Sequence, residues 1–213
     1  MKLLILSRDR PAQLHLLLEQ IHSNWRGCIP HVLACARTQL AEKGYRLLER
    51  QGLAVMSDDF STQTIAAFCD QSPNALILLL HDQMLLTGPV PAYAADIAMK
   101  DPAIAGFDLA TGGRPNRFRR STSWHETVGV ITSPFGTCLR ASDLSDLVMH
   151  APHSTIPAIE GASSVAIARR NRVAWPAHAV VQFYKDDGSD LPTLQYLQGD
   201  TIQDIHHGQF TWR

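Results

Sequence analysis

The apolar residues come in short blocks separated by polar turns, and the length and period of each block predict its structure. Residues 76–80, Leu-Ile-Leu-Leu-Leu, are five consecutive branched apolar positions. A run of that kind predicts a strand covered on both faces, because alternation is expected only where one face meets water. It ends in His81-Asp82-Gln83. Residues 3–6 predict a buried first strand, and Leu14, Leu17, Leu18 and Ile21 mark one face of a following helix. Ser7 to Pro11 between them reads as a turn, with Asp9 near the cap and Pro11 in the first helical turn. A strand over 29–36, a helix over 39–51, a strand over 53–56 and a helix over 60–71, with Ile65 and Phe68 facing in, continue the pattern to Ser72-Pro73-Asn74. The first 80 residues thus alternate β, α, β, α, β, α, β, which predicts an α/β fold with parallel strands.

Beyond Gln83 the alternation loosens. The spacing predicts a helix over 89–100 with Val90, Ala94 and Ile97 inward, strands over 103–107, 128–131 and 136–140, and a helix over 142–149. A second helical segment over 157–168 carries Glu160, and strands over 172–175 and 179–184 precede a short helix over 191–197. Residues 112–120 hold four arginines in a turn-rich stretch. It reads either as a loop that closes over an anionic substrate or as a solvated surface loop. No repeat, linker or low-complexity segment interrupts the chain, so 1–213 is expected to form one domain.

Composition narrows the function classes. Nineteen basic against twenty acidic residues give no overall pull toward nucleic acid or an anionic membrane. Four lysines leave fifteen arginines, a bias that suits bidentate phosphate binding and that genome composition produces equally well. The four cysteines form no CxxC pair and sit in apolar surroundings, as reduced packing residues of a cytoplasmic protein do. No apolar segment approaches the roughly 20 residues needed to span a bilayer. The first strand lacks the cleavage site of a signal peptide.

In an open parallel sheet, ligands collect outside the carboxyl ends of the strands, so polar residues at those ends are the first candidates for chemistry. Here they are Ser7, Arg8 and Asp9; Asp58 and Asp59; and His81, Asp82 and Gln83. Ser7, Arg8 and Asp9 read as nucleotide contacts, or as a helix cap beside solvated arginines. Asp58 and Asp59 read as contacts to a base or ribose, or as acidic residues drawn to a helix N-terminus. Asp82 reads as one carboxylate holding a hard divalent cation against a diphosphate, or as the cap of its own turn. The chain has no GxGxxG after the first strand, no GxxxxGK[ST], no GxSxG and no HExxH. It therefore lacks the mechanical parts of dinucleotide oxidoreductases, P-loop enzymes, α/β-hydrolases and zincins. His150 with His153 and His206 with His207 have no cysteine or carboxylate at zinc-ligand spacing. Sugar transfer from a nucleotide diphosphate matches what remains, since it needs a positive group for the leaving diphosphate and a base for the acceptor hydroxyl.

The opening LLILSRDRPAQLHLLLEQIHSNW, then GYRLLERQ, LILLLHDQML, FGTCLRASDL, IPAIEG and LPTLQYLQGDTI, taken in order, resemble the blocks of small bacterial GT-A, family-two-like nucleotide-sugar glycosyltransferases. The resemblance implies a single GT-A-like α/β domain with a mixed, mostly parallel sheet flanked by helices. It implies a nucleotide-binding half over 1–86 and an acceptor-side half over 87–213. It also implies a UDP- or GDP-linked sugar donor, Mn²⁺ or Mg²⁺, and inverting transfer to a glycan or other hydroxyl acceptor. Carried over by position, Ser7, Arg8 and Asp9 lie near the nucleotide, Asp82 is the metal-motif carboxylate, and Glu160 is the candidate catalytic base; Asp59 and His81, from their strand-end positions, complete the expected nucleotide contacts. The family has two or three acids in that motif where this chain has His81-Asp82-Gln83. That departure raises a second reading, a transferase-like nucleotide- or sugar-binding protein without catalysis.

Overall fold

The computed structural model describes residues 1–57, 60–110, 124–128, 131, 133–151, 158–159, 170 and 172–183. The first half alternates as the apolar blocks predict: β1 (Lys2–Arg8), α1 (Pro11–Asn24), β2 (His31–Cys35), α2 (Gln39–Arg50), β3 (Val55–Ser57), α3 (Thr62–Asp70) and β4 (Leu76–His81). Leu4, Ile5 and Leu6 on β1 and Ile77 through Leu80 on β4 are fully buried, as strands clad on both faces must be. Helix α1 buries Leu14, Leu17, Leu18 and Ile21, and α3 buries Ile65 and Phe68. Each fully buried aliphatic side chain of this kind stabilises the fold by about 1.5–3 kcal/mol relative to an exposed one.

The first strand is longer than its apolar block. It continues through Ser7 and Arg8 because β2 pairs with it in parallel to the end, Ser7 opposite Ala34 and Arg8 opposite Cys35. The turn into α1 is therefore only Asp9 and Arg10. Pro11 opens the helix, where its missing N–H costs nothing, and Arg10 rather than Asp9 occupies the N-cap without a side-chain cap bond. Helix α3 is capped by Ser61, whose side chain accepts from the Thr64 N–H. Residues 58–59, including Asp58 and Asp59, lie outside the described residues.

The second half comprises β5 (Met84–Leu86), α4 (Ala92–Ala98), β6 (Ile104–Asp108), β7 (Trp124–Val128), β8 (Thr137–Arg140), α5 (Ala141–Met149), β9 (Arg172–Pro176) and β10 (Val181–Phe183). Among the described residues, eight strands form one sheet in the order β3-β2-β1-β4-β8-β6-β9-β7. The sheet is mixed but mostly parallel: β8 runs antiparallel between β4 and β6, and β7 runs antiparallel to β9. β5 and β10 pair separately as an antiparallel ribbon. At the far end from Ser7, Arg140 donates to the Ile104, Met99 and Asp101 carbonyls, and Arg172 bridges Asp101 and Glu126. These bonds tie the antiparallel insertion to its neighbours.

Three local expectations shift. The strand expected over 128–131 lies at Trp124–Val128, where it pairs with β9. Helix α4 starts only after Pro91, and it buries Ala94, Ala95 and Ala98 while Ile97 faces outward at 40% exposure. Small residues bring this helix close to the sheet. Met84 to Leu86, for which the apolar pattern predicted no element, is a strand of its own because β10 supplies a partner. The arginine-rich segment 112–120 and the helix expected over 191–197 lie outside the described residues, as does all of 157–168 except Ala158 and Ile159.

Candidate functional site

Parallel pairing of β1 with β4, Leu6 opposite His81, puts the carboxyl ends of the two strands side by side. The pairing runs on past β4, since the Asp82 N–H donates to the Leu6 carbonyl at 3.2 Å. Asp82 is thereby delivered next to Ser7, 75 positions away in sequence. Both side chains are buried.

The carboxylate does not point outward. Asp82 Oδ2 accepts from Ser7 Oγ at 2.9 Å and from the Arg8 N–H at 2.8 Å, so it reaches across to β1. The N–H of the adjoining turn residue, Gln83, goes to His81 Nδ1 at 3.1 Å. His81 Nδ1 must then be unprotonated, which makes the ring the Nε2–H tautomer when neutral. Burial, with a smaller contribution from the Arg10 charge, pushes the His81 pKa down to about 4. The imidazole packs edge-on against Phe135, ring centroids 4.9 Å apart.

Ser7 has a second partner that the sequence reading missed. Its Oγ lies 2.7 Å from the Tyr45 hydroxyl on α2, and the same hydroxyl accepts from the Arg10 N–H at 3.1 Å. Burial raises the Tyr45 pKa above its ordinary value, which keeps the phenol protonated. A signal for Tyr45 existed: Ala41, Tyr45 and Leu48 share the buried face of α2, and a buried tyrosine usually finds a partner for its hydroxyl. Phe60 was also missed. The Arg8 guanidinium sits 5.1 Å from its ring centroid, which places that charge over the segment between β3 and α3.

Asp9 does something different from the expected cap. Its backbone is left-handed, φ 55°, a conformation that aspartate tolerates better than most side chains. Its N–H donates to the Cys35 carbonyl at 3.0 Å, and its Oδ1 accepts from the Arg37 N–H at 2.5 Å. Asp9 therefore fastens the β1–α1 turn to the segment after β2. The fold brings together Ser7, Arg8, Asp9, His81 and Asp82. Asp59 and Glu160 lie outside the described residues.

For the Mn²⁺ or Mg²⁺ that the resemblance implies, the described residues at this point supply one carboxylate, Asp82, while Asp58, Asp59 and Glu160 lie outside the described residues. Among the described residues no group of three or more His, Cys, Asp or Glu side chains could hold such an ion. One oxygen of Asp82 is already occupied by two donors, and His81 directs Nδ1 into its own turn.

Eight strands in this order, with helices on the faces, form an α/β fold that solved structures share. Among the proteins to which the chain is similar in structure is TarS of S. aureus. With TarS 1-349 in complex with UDP-GlcNAc the TM-score is 0.57 at 12% identity, covering 91% of this chain and 61% of that one. With the UDP complex of TarS 1-349 the TM-score is 0.55 at 12% identity, covering 82% and 57%. With TarS itself it is 0.55 at 11% identity, covering 82% and 35%. The chain thus spans between about a third and three-fifths of the length of these proteins. No family model and no curated sequence matches it. Among the described residues no helix is long and apolar enough to cross a membrane.

Proposed function

We propose that the chain binds a UDP- or GDP-linked sugar at the carboxyl ends of β1 and β4 and transfers the sugar, with inversion, to a glycan or other hydroxyl acceptor. The observation that carries this reading is the junction of Ser7, Arg8 and Asp82 at adjoining strand ends, between the arginines at 8 and 10. Its support from outside the chain is the fold shared with a protein solved in complex with UDP and with UDP-GlcNAc.

In this reading Ser7, Arg8, Asp9, Asp59 and His81 line the nucleotide subsite of the 1–86 half. Arg8 and Arg10 supply the positive charge that meets the leaving diphosphate. Glu160, from the acceptor-side half over 87–213, takes the acceptor hydroxyl proton. The oxygen then attacks the anomeric carbon, and the bond to the diphosphate oxygen breaks with its electron pair on the diphosphate. No step is routed through Mn²⁺ or Mg²⁺; an ion here would share the Asp82 carboxylate with the Ser7 and Arg8 donors and be completed by diphosphate and water.

Release of UDP or GDP from a panel of nucleotide sugars and acceptors, beside calorimetry with UDP and GDP in Mn²⁺ and in EDTA, tests the reading. Nucleotide binding with acceptor-dependent turnover is expected. Glu160→Gln should keep binding and lower turnover at least 100-fold, within the usual range for loss of a general base. Absence of any nucleotide binding by the wild-type chain would refute the proposal. The inward commitment of Asp82 favours one other reading, a nucleotide-binding protein that does no chemistry, and binding without turnover across the panel would select it.

A further inference from the structure

The proton directions at the β1–β4 junction can be assigned by valence alone. An ionised carboxylate has no proton to give, so Ser7 Oγ–H must donate to Asp82 Oδ2. The hydroxyl proton of Ser7 is then spent, and the 2.7 Å contact with Tyr45 requires the phenol to donate to Ser7 Oγ. Tyr45 in turn accepts from the Arg10 N–H. The chain runs one way, from the Arg10 N–H through the Tyr45 and Ser7 hydroxyls to Asp82, which also receives the Arg8 N–H. Its two outer donors are the backbone amides of Arg8 and Arg10, the residues whose guanidinium groups the proposed function assigns to the diphosphate.

We propose that Asp82 and Tyr45 are positioning residues. Together, through Ser7, they fix the backbone of residues 8–10 so that Arg8 and Arg10 meet the donor diphosphate, and Asp82 acts there independently of any metal ion. The proposal rests on the nucleotide-sugar reading for its ligand, while the pinning of the two amides stands apart from it. Three elements hold the turn at once: β4 through Asp82, α2 through Tyr45, and the segment after β2 through the bond from Arg37 to Asp9. Helix α1 adds no side-chain cap at this point, so the turn depends on these outside partners.

Two near-isosteric variants break the chain at opposite ends. Tyr45→Phe removes the donor to Ser7 and the acceptor of the Arg10 N–H while keeping the ring in the core. Asp82→Leu keeps the approximate shape and removes the acceptor of both the Ser7 hydroxyl and the Arg8 N–H. The Ser7 proton then turns toward Tyr45, and the buried phenol proton loses its acceptor. The phenylalanine variant tests the arrangement without changing charge, and the leucine variant, read with and without metal, separates positioning from metal binding.

The experiment is titration calorimetry with UDP in Mn²⁺ and in EDTA, together with amide hydrogen exchange at Arg8 and Arg10, for wild type, Tyr45→Phe and Asp82→Leu. Both variants are expected to raise the Kd for UDP about tenfold, by the same factor with and without metal, as loss of about one hydrogen bond predicts. Both should also speed exchange at the two amides, with thermal unfolding still cooperative. The proposal is overturned if Asp82→Leu abolishes only a Mn²⁺-dependent gain in affinity while Tyr45→Phe binds as wild type does. Unchanged exchange at both amides in both variants overturns it as well. A wild-type chain that binds no nucleotide, with exchange still faster in the variants, refutes the ligand assignment and leaves the pinning supported.

Discussion

The two ends of the parallel strands are built on opposite lines. At the amino ends lies a cavity of about 480 Å³, bordered by Lys2, Arg26, His31, Trp25 and Phe68. Ring and charge contacts join the side chains around it. His31 stacks on Phe68 with centroids 4.9 Å apart, and Lys2 Nζ stands 5.5 Å from the same ring. Ile29 and Val55 beside it are exposed. At the carboxyl ends buried polar side chains from β1, α2 and the segment after β4 are bonded to one another. Among the described residues, this buried hydrogen-bond network lies at the end of the strands opposite the cavity. A buried carboxylate and hydroxyl persist only where the surrounding fold satisfies them, so the carboxyl end is the more specified of the two regions.

The largest test of that contrast is removal of the acceptor at the centre. Asp82→Ala strips two buried donors, the Ser7 hydroxyl and the Arg8 N–H, of their partner. At 1–3 kcal/mol for each unsatisfied group, the expected loss of folding stability is about 3–4 kcal/mol, read as a lower denaturant midpoint. His31→Ala at the other end should cost roughly a third of that, because it removes a half-exposed ring from one stacking contact. Equal losses at the two sites would dissolve the distinction.

Acid should reach both ends with the same sign and unequal size. The His81 pKa falls from 6.5 in the unfolded chain to about 4 in the folded one, mainly through burial. Between those values the unfolded state holds a proton that the folded state lacks, so stability is complete above pH 6.5 and declines as pH falls toward 4. For a residue this buried the decline amounts to roughly 3 kcal/mol. His31 is also lowered, by burial and then by Lys2, and it is more exposed. His15 is lowered by burial to about 4 and titrates in the same window, so the wild-type slope alone is not diagnostic. His81→Gln should reduce the slope of stability against pH by close to one proton between pH 4.5 and 6, measured by urea unfolding at each pH. A slope left unchanged would mean that His81 is not the buried neutral ring its contacts describe.

How much of this was legible in the sequence differs between elements. Strands β1 and β4 and the inner face of α1 were readable because each is an unbroken apolar run or a single helical stripe, and burial is nearly all that those patterns encode. The proximity of Ser7 to Asp82 followed from one rule, that parallel strands place their carboxyl ends together. The direction of the Asp82 carboxylate did not follow, since spacing locates a backbone position and leaves the side-chain torsion free. Tyr45 was hidden for a related reason: its ring satisfies the apolar pattern of α2, and only its distance from Ser7 reveals what the hydroxyl does. The antiparallel insertion of β8 between β4 and β6 was equally unreadable, because strand order is set by packing between segments far apart in the chain. Asp59 rests on its strand-end position and Glu160 on the resemblance, and both lie outside the described residues.

The smallest effect expected is at the amino-end cavity, and it bears most directly on whether that cavity takes part in nucleotide binding. Lys2 is exposed, and its ammonium contacts the Phe68 ring from solvent, an arrangement worth about 0.5–1 kcal/mol. Lys2→Ala should therefore lower stability by less than 1 kcal/mol. It also removes a nearby charge that disfavours protonation of His31, so the imidazole should titrate at a higher pH in the variant. The Kd for UDP should stay within a factor of two of wild type, because Lys2 stands at the opposite end of β1 from Ser7. An upward move of the His31 titration in proton NMR, with nucleotide affinity unchanged, would show the two ends to be independent. A large loss of UDP affinity in Lys2→Ala would instead place the nucleotide at the amino-end cavity and leave the carboxyl-end junction as a structural clasp.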